Sequence, residues 1–376
     1  AQDKFCANTY CWISIIYDQS GTGNHLLQAP RGGTGNPTAM GGFNSLPIAD
    51  MAPVTLMGHK VYGIFIEPGM GMRQNDPIGT AVDDQAEGQY WVINGHHYND
   101  GCCFNYGNGE IDSRDDGDGT METIYYGNSN SWYHGQAPGP WIMSDQENNL
   151  VGCVTDSPNN KYCPDLPAIT WRFVTAMADG EPHHWRTMGG DAQRGDLSIM
   201  FDGPRIANEK KTRPELTSSY DPMRKQGAIL LGNGGDNGNW SQGTVYEAAM
   251  TASGNFPTEE TNQKIQANIV AAGYDVQLLN LTPANATDMP PGLQTFTPQS
   301  SQESTVTFTN TTGAPVSNLT LSITVPRGWK SVVTGTSETS QIFKNKIAPG
   351  EVVTATFTIT SGSTPFNGDL IAEASW

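Results

Sequence analysis

Two carboxylates stand two residues apart in the run Trp141-Ile142-Met143-Ser144-Asp145-Gln146-Glu147. On a β-strand alternate side chains share a face, which puts Trp141, Met143, Asp145 and Glu147 together. Paired carboxylates among apolar neighbours make a poor core and a useful groove, because packing shifts their pKa values toward acid, base or nucleophile work. The competing reading is a solvent-facing strand with two ordinary charges, since exposed Asp and Glu are common.

Other constellations carry less. Cys102 and Cys103 are adjacent in Gly101-Cys102-Cys103-Phe104-Asn105. Joined to each other they would form a rigid, polarizable, sulfur-faced knob suited to packing on a sugar ring. Neighbouring cysteines more often bond to distant partners, but the other four here already fall into local pairs. The run Gly232–Trp240 (GNGGDNGNW) follows the apolar segment Ala228–Leu231 and would bring backbone amides and a carboxylate near a ligand. It lacks the phosphate-loop pattern, and runs of this composition are commonly turns alone. Glu110–Gly119 (EIDSRDDGDG) misses the EF-hand spacing and reads as a solvated acidic loop. His96/His97 and His183/His184 are adjacent pairs, which does not support HExxH-type metal chemistry, and no GxSxG elbow occurs.

The elements that must position these residues are short strands. Runs at Cys11–Tyr17, Val61–Ile66, Tyr90–Ile93, Met121–Tyr126, Trp141–Glu147, Ile169–Ala176, Leu197–Phe201 and Ala228–Leu231 lie between Gly-, Asn-, Asp- and Pro-rich turns, as in a β-sandwich or barrel. One helix is expected, over about 258–272. Thr258 would cap it, Glu259 and Glu260 suit its N-terminal dipole, Ile265 and Ile269 share a face, and Gly273 ends it. Residues 281–294 (LTPANATDMPPGLQ) read as a linker. Beyond them, clean alternation in Ser304–Thr309, Leu319–Val325 and Val352–Ile359 predicts a small antiparallel sandwich over 295–376.

The bulk composition agrees. A chain of 376 residues has room for two domains. Only 15% of residues are charged, against roughly 25% in an average soluble domain, whereas Gly, Pro and Trp are abundant. A net charge of −18 repels nucleic acid. No apolar run approaches the roughly 20 residues of a membrane span. The six cysteines lie as Cys6/Cys11, Cys102/Cys103 and Cys153/Cys163, without zinc-site spacing or clustered histidine. Local disulfides made in an oxidising compartment fit better, so a secreted protein is expected. Sequons at Asn239, Asn280, Asn285, Asn310 and Asn318 are compatible with that.

Five ordered blocks carry a family resemblance: Cys6–Cys11 (CANTYC), Ile15–Leu26 (IIYDQSGTGNHL), Gly95–Asn108 (GHHYNDGCCFNYGN), Gly139–Leu150 (GPWIMSDQENNL) and Gly227–Asn237 (GAILLGNGGDN). Residues 1–277 resemble the catalytic domain of glycoside hydrolase family 54, the α-L-arabinofuranosidase B type. The resemblance implies an all-β, concanavalin-like sandwich catalytic domain over 1–280 and a retaining mechanism without metal or organic cofactor. By position, Glu147 matches the nucleophile and Asp236 the general acid/base. Asp145 and Asn148 match hydroxyl-binding residues, Cys102–Cys103 a vicinal disulfide at the pocket floor, Trp132 an aromatic wall and Gly235 a backbone contact. Retaining chemistry needs the two carboxyl groups about 5–5.5 Å apart.

The implied activity is exo-acting release of arabinofuranose from arabinose-containing plant glycans. A related furanosidase, a β-xylosidase or a catalytically inactive carbohydrate-binding sandwich are the alternatives. Three departures accompany the match. The family's catalytic domain carries further strands and a cysteine pair upstream of the position matching Ala1, so a separate, docked N-terminal fragment is expected as a partner. Residues 295–376 resemble the small immunoglobulin-like domain appended to bacterial α-galactosidases, and a spacer or structural role is expected for them. Cys153/Cys163 looks like an addition stapling the loop after the catalytic strand.

Overall fold

The computed structural model describes residues 1–30, 44–147, 150–154, 160–205, 222–285 and 294–376. They form two compact units that interleave along the chain, one of Trp12–Ala49 and Gly63–Tyr274, the other of Ala1–Cys11, Asp50–Tyr62 and Asp275–Trp376.

The larger unit is a β-sandwich. Its eight-stranded sheet runs in the order Ile15–Ile16, Leu26–Gln28, Met72–Gln74, Ala228–Leu231, Asn105–Gly109, Glu122–Gly127, Trp141–Asp145 and Leu150–Val151. The six-stranded sheet runs Ser198–Pro204, His184–Asp191, Phe173–Glu181, Glu87–Asn94, Gly243–Met250 and Ile64–Ile66. Every pairing in both sheets is antiparallel. Between them lies the main core, where Trp91 of one sheet packs on Phe104 and Tyr106 beside the other at 4.7 and 6.3 Å between ring centroids.

The strand Trp141–Asp145 is buried on both faces. Ile142 points into the sandwich, so closely that a Cβ on Gly189 opposite would sit 2.4 Å from its Cδ1. Trp141, Met143 and Asp145 therefore face the other way. Trp141 donates from Nε1 to the Gln136 carbonyl (2.9 Å), and Leu166 and Gly152 pack beside Met143. This covered outer face carries the candidate site.

The helix forms at Glu259–Ala272, with the Thr258 hydroxyl accepting from Thr261 N at 3.1 Å and Gly273 closing it in the left-handed conformation at φ 63°. Its buried face differs from expectation. Asn262 and Gln266 join Ile269 there, Asn262 donating to Asp179 and Gln266 to the Asp191 carbonyl, so the helix docks by hydrogen bonds as well as apolar contact.

In the smaller unit, strands Leu279–Pro283, Ser301–Thr309, Val352–Thr360 and Lys330–Val333 form one sheet, and Ser340–Phe343, Leu319–Thr324 and Ile371–Ser375 another. Their inward residues, Val306, Phe308, Leu319, Leu321, Phe357 and Ile359 among them, make a separate core. Residues 281–283 of the expected linker are thus strand, because Leu279–Pro283 pairs along Ser304–Phe308. Asn239 and Asn310 are buried, which removes them as glycan acceptors in the folded chain.

Candidate active site

The strand bearing the paired carboxylates ends at Asp145, one residue pair short of the expected run. Asp145 pairs with Leu150, and Gln146 and Glu147 begin the turn that leaves the strand. Glu147 sits in that turn with φ 62°, so its position comes from the turn and not from strand alternation. Only Trp141, Met143 and Asp145 keep the predicted common face. The Asp145 carboxylate starts the turn by accepting from Glu147 N at 3.2 Å, and Gly119 N fixes the next carbonyl, that of Gln146, at 2.8 Å.

A second element supplies the sulfur surface. Cys102 and Cys103 are bonded to each other, and Cys6–Cys11 and Cys153–Cys163 form the other two bridges. The two adjacent sulfurs and the Asp145 carboxylate lie within 4.8 Å of one another. Both sulfurs are consumed by the bridge, so this trio offers no thiolate to a metal. Asn105, just after the cysteines, donates to Asp145 Oδ2 at 2.7 Å.

The third element is the glycine-rich loop after Ala228–Leu231. Its Gly232 N donates to the Asn105 carbonyl at 2.8 Å, and its Gly238 carbonyl accepts from Cys103 N at 3.4 Å, which lays the loop against the cystine. Asp236 Oδ1 accepts from Gly238 N at 2.7 Å. Asn237, at φ 65°, is locked by Asn233, Asn44 and the Pro30 carbonyl. Arg73, buried in the neighbouring strand, donates to the carbonyls of Gly234 (3.3 Å) and Gly235 (3.0 Å) and to that of Glu110. Gly235 admits no side chain: a Cβ there would lie 1.7 Å from Glu110 Oε2.

Glu110 is the residue that the sequence reading missed. The acidic loop is solvated at Asp112 and Asp116 as expected, but its first member is fully buried. One Glu110 oxygen accepts from the Thr120 hydroxyl at 2.6 Å. The other lies under Gly235, without a hydrogen-bond partner among the described residues. The position of Glu110 directly after the strand Asn105–Gly109 gave no sign of burial in the sequence. Arg73 and Asn105 carried no signal beyond being polar residues beside apolar strands.

The charges of Glu110, Asp236, Asp112 and Glu147 act on the Arg73 guanidinium, and Asp145 acts on Glu147 and is acted on by Glu110 and Asp236. Burial and the neighbouring charges of Glu110, Asp145 and Asp236 push Glu147 up to about 12. Burial, opposed by the Asn105 hydrogen bond and helped by the Glu110 and Asp236 charges, raises Asp145 to about 7. Burial raises Glu110 to about 7 against the pull of Thr120, Glu147 and Arg73. Arg73, lowered by burial to about 10 and supported by the same acids, stays charged near neutrality. A site built this way retains protons at neutral pH and suits acid/base and nucleophilic chemistry.

Trp132 is half-buried against the main core. Asn148, expected to bind a sugar hydroxyl, lies outside the described residues. His97 is a core histidine, stacked on Phe65 at 4.8 Å, bonded to Thr244 Oγ1 at 2.8 Å and lowered by burial to about 3.

Comparison with known proteins gives the family. Residues 1–275 match the family model for the "Alpha-L-arabinofuranosidase B, catalytic" domain, and residues 296–375 match that for the "NPCBM-associated, NEW3 domain of alpha-galactosidase". An "Alpha-L-arabinofuranosidase" of Hypocrea jecorina is 51% identical over 284 residues, covering 76% of this chain and 54% of the relative. An "Arabinofuranosidase/B-xylosidase" of Trichoderma koningii is 50% identical over 284 residues, with the same two coverages of 76% and 54%. The chain therefore spans about half the length of these curated relatives. A solved GH54 α-L-arabinofuranosidase, soaked with a cyclic sulfate inhibitor, superposes with a TM-score of 0.66 at 41% identity, covering 91% of this chain and 63% of that one. With its β-sandwich, its carboxylate cluster and a family model matched over residues 1–275, the chain belongs to the α-L-arabinofuranosidase B catalytic family, glycoside hydrolase family 54.

Proposed function

We propose that the chain is a secreted, retaining α-L-arabinofuranosidase that releases arabinofuranose from arabinose-containing plant glycans. The observation that carries this reading is that the loop bearing Asp236, held by Arg73, lies against the Cys102–Cys103 bridge, beside the Asp145 carboxylate that accepts from Glu147 N. In this reading Glu147 attacks the anomeric carbon while Asp236 protonates the departing oxygen. Asp236 then takes a proton from the water that hydrolyses the glycosyl-enzyme. Asp145, held by Asn105, accepts a hydrogen bond from a ring hydroxyl, and the contact strengthens as the sugar gains oxocarbenium character. The Cys102–Cys103 bridge beside Asp145 gives the ring an apolar floor, with Trp132, Asn148 and the Gly235 backbone as further sugar contacts. Three disulfides fit an oxidising, extracellular compartment.

β-Xylosidase activity is the second reading, favoured by the double name of the Trichoderma koningii relative. Turnover of nitrophenyl α-L-arabinofuranoside and β-xyloside, with Glu147→Gln alongside, separates the two. We expect the arabinofuranoside to be cleaved faster and both activities to vanish in the variant. Turnover that survives Glu147→Gln removes the nucleophile assignment, and an inert protein returns the chain to sugar binding without catalysis.

A further inference from the structure

The peptides that carry Asp236 and Glu147 are held, at two ends, by the same segment. Arg73 Nη1 donates to the carbonyl of the Gly235–Asp236 peptide at 3.0 Å, and to that of Gly234 at 3.3 Å. Gly119 N donates to the carbonyl of the Gln146–Glu147 peptide at 2.8 Å. A peptide is planar, so a bond to its carbonyl also fixes the direction in which the next Cα leaves. Arg73 Nη2 donates to the Glu110 carbonyl. Its Nε donates to Asn75 Oδ1 at 2.7 Å, and Asn75 Nδ2 donates to Ser113 Oγ at 3.1 Å. Glu110, Ser113 and Gly119 belong to one loop, and its ends are clasped where the Thr120 hydroxyl donates to Glu110 Oε1 at 2.6 Å. Arg73, Glu110, Ser113 and Thr120 are all buried. A buried guanidinium is costly where an apolar residue would fill the strand, and only well-placed acceptors offset the cost. Here the acceptors are the glycine loop, the acidic loop and Asn75.

We propose that the loop 110–120 is a spacer that sets the separation of the Asp236 and Glu147 carboxyls, with Arg73 and Thr120 as positioning residues at its joints. The inference rests on the glycosidase reading for the roles of those two carboxyls. In a retaining enzyme they stand about 5–5.5 Å apart, because one must reach the anomeric carbon while the other reaches the oxygen leaving it. Asp236 and Glu147 come from separate turns, and neither turn by itself fixes the other. The spacer connects them in series. Arg73 ties the glycine loop to Glu110, Thr120 ties Glu110 to the end of the loop that carries Gly119, and Gly119 ties that end to the nucleophile turn. Opening either joint lets the carboxyls drift apart with both side chains intact. Attack and hydrolysis then slow together, since one separation serves both, while the Cys102–Cys103 floor and Asp145 continue to bind the sugar.

Three variants test it. Thr120→Val removes the clasp, and Arg73→Lys keeps the charge but loses the planar fork that reaches several carbonyls at once. Asn75→Ala, at a half-buried position and the mildest, removes only the side link. With nitrophenyl α-L-arabinofuranoside, kcat should fall about 10²-fold in the first two and less in the third, with KM held within about threefold. Thr120→Ser, which keeps the hydroxyl, should restore turnover. Because the joints act in series, the Thr120→Val/Arg73→Lys pair should lose little more than the worse single variant, whereas independent packing defects would multiply. Crystal structures of Thr120→Val and Asn75→Ala should show the Asp236–Glu147 carboxyl separation widened by about 1 Å in at least the first. An unchanged separation in both, losses that multiply, or a loss that Thr120→Ser shares would each overturn the spacer. The separation is measured without turnover, so an inert protein whose carboxyls still spread in Thr120→Val would sink the glycosidase reading and leave the spacer standing.

Discussion

Glu147 is held in a backbone conformation that costs a glutamate on the order of 1–2 kcal/mol, at φ 62°. The hairpin from Asp145 to Leu150 imposes it, and the Asp145 carboxylate and Gly119 amide hold the turn on either side of Gln146. The backbone thus aims the side chain into the cluster, where rotamer freedom alone would leave it variable. Asp236 is placed differently, by its own bond to Gly238 N and by the Arg73 clamp on the preceding carbonyls. Its assigned role has a separable consequence. With a nitrophenyl leaving group the first step needs little acid, but hydrolysis of the glycosyl-enzyme still needs a base. Asp236→Asn should lower kcat by roughly 10²–10⁴-fold. Added azide should restore turnover and yield arabinofuranosyl azide, identified by mass. No azide effect would place the acid/base elsewhere.

The glycine loop packs directly over Glu110, and the fit is tight enough to be tested by one methyl group. A Cβ on Gly235 would lie 1.7 Å from Glu110 Oε2 and 2.7 Å from Met121 Sδ, so either the loop or the carboxyl must move. A displacement near 1 Å at such a site costs on the order of 10²-fold, and Gly235→Ala should lose about that much in kcat/KM. Near-native circular dichroism in the variant would show that the loss is local. Full activity would mean that the loop is looser than described. Several elements were legible beforehand. The Thr258 cap and Gly273 stop located the helix to within a residue, and alternation found three of the strands of the smaller unit. The outer catalytic-face strand was read one turn too far, because alternation continues through Gln146 and Glu147 in sequence while the Asp145–Leu150 pairing closes the hairpin in space. Glu110 was hidden by its company. It opens a run of acidic residues whose other members are solvated, and nothing local says that the first folds inward under a glycine contributed 125 positions later.

The molecule as a whole is sparing with charge, yet its larger unit buries several ions. Burial pushes Glu122 up, but Arg205 at 2.8 Å and Lys225 at 2.9 Å override it and hold Glu122 at about 2. Burial leaves Glu87, Glu110 and Asp145 raised to about 7. The two groups act oppositely on stability. Glu122 contributes above its ordinary carboxylate value and loses that contribution as pH falls toward 2. The raised acids contribute fully below their ordinary values and lose it as pH rises through about 7. Stability should therefore peak near pH ~4–5 and fall toward pH ~8, by up to about 1.4 kcal/mol per pH unit for each group still titrating. Thermal melts across that range check it. A melting temperature that climbs from the acid side to pH ~8 would show that the cluster is ionised and compensated in the folded state.

The central claim, that Glu147 is the nucleophile of a retaining α-L-arabinofuranosidase, is tested most directly by trapping the covalent intermediate. The protein is incubated with a mechanism-based arabinofuranose analogue, such as a cyclic sulfate, and the labelled peptide is sequenced by mass spectrometry. One sugar per chain, attached to Glu147, is the expected result. A label on another carboxylate, or rapid turnover with no label and inverted anomeric product, would contradict it.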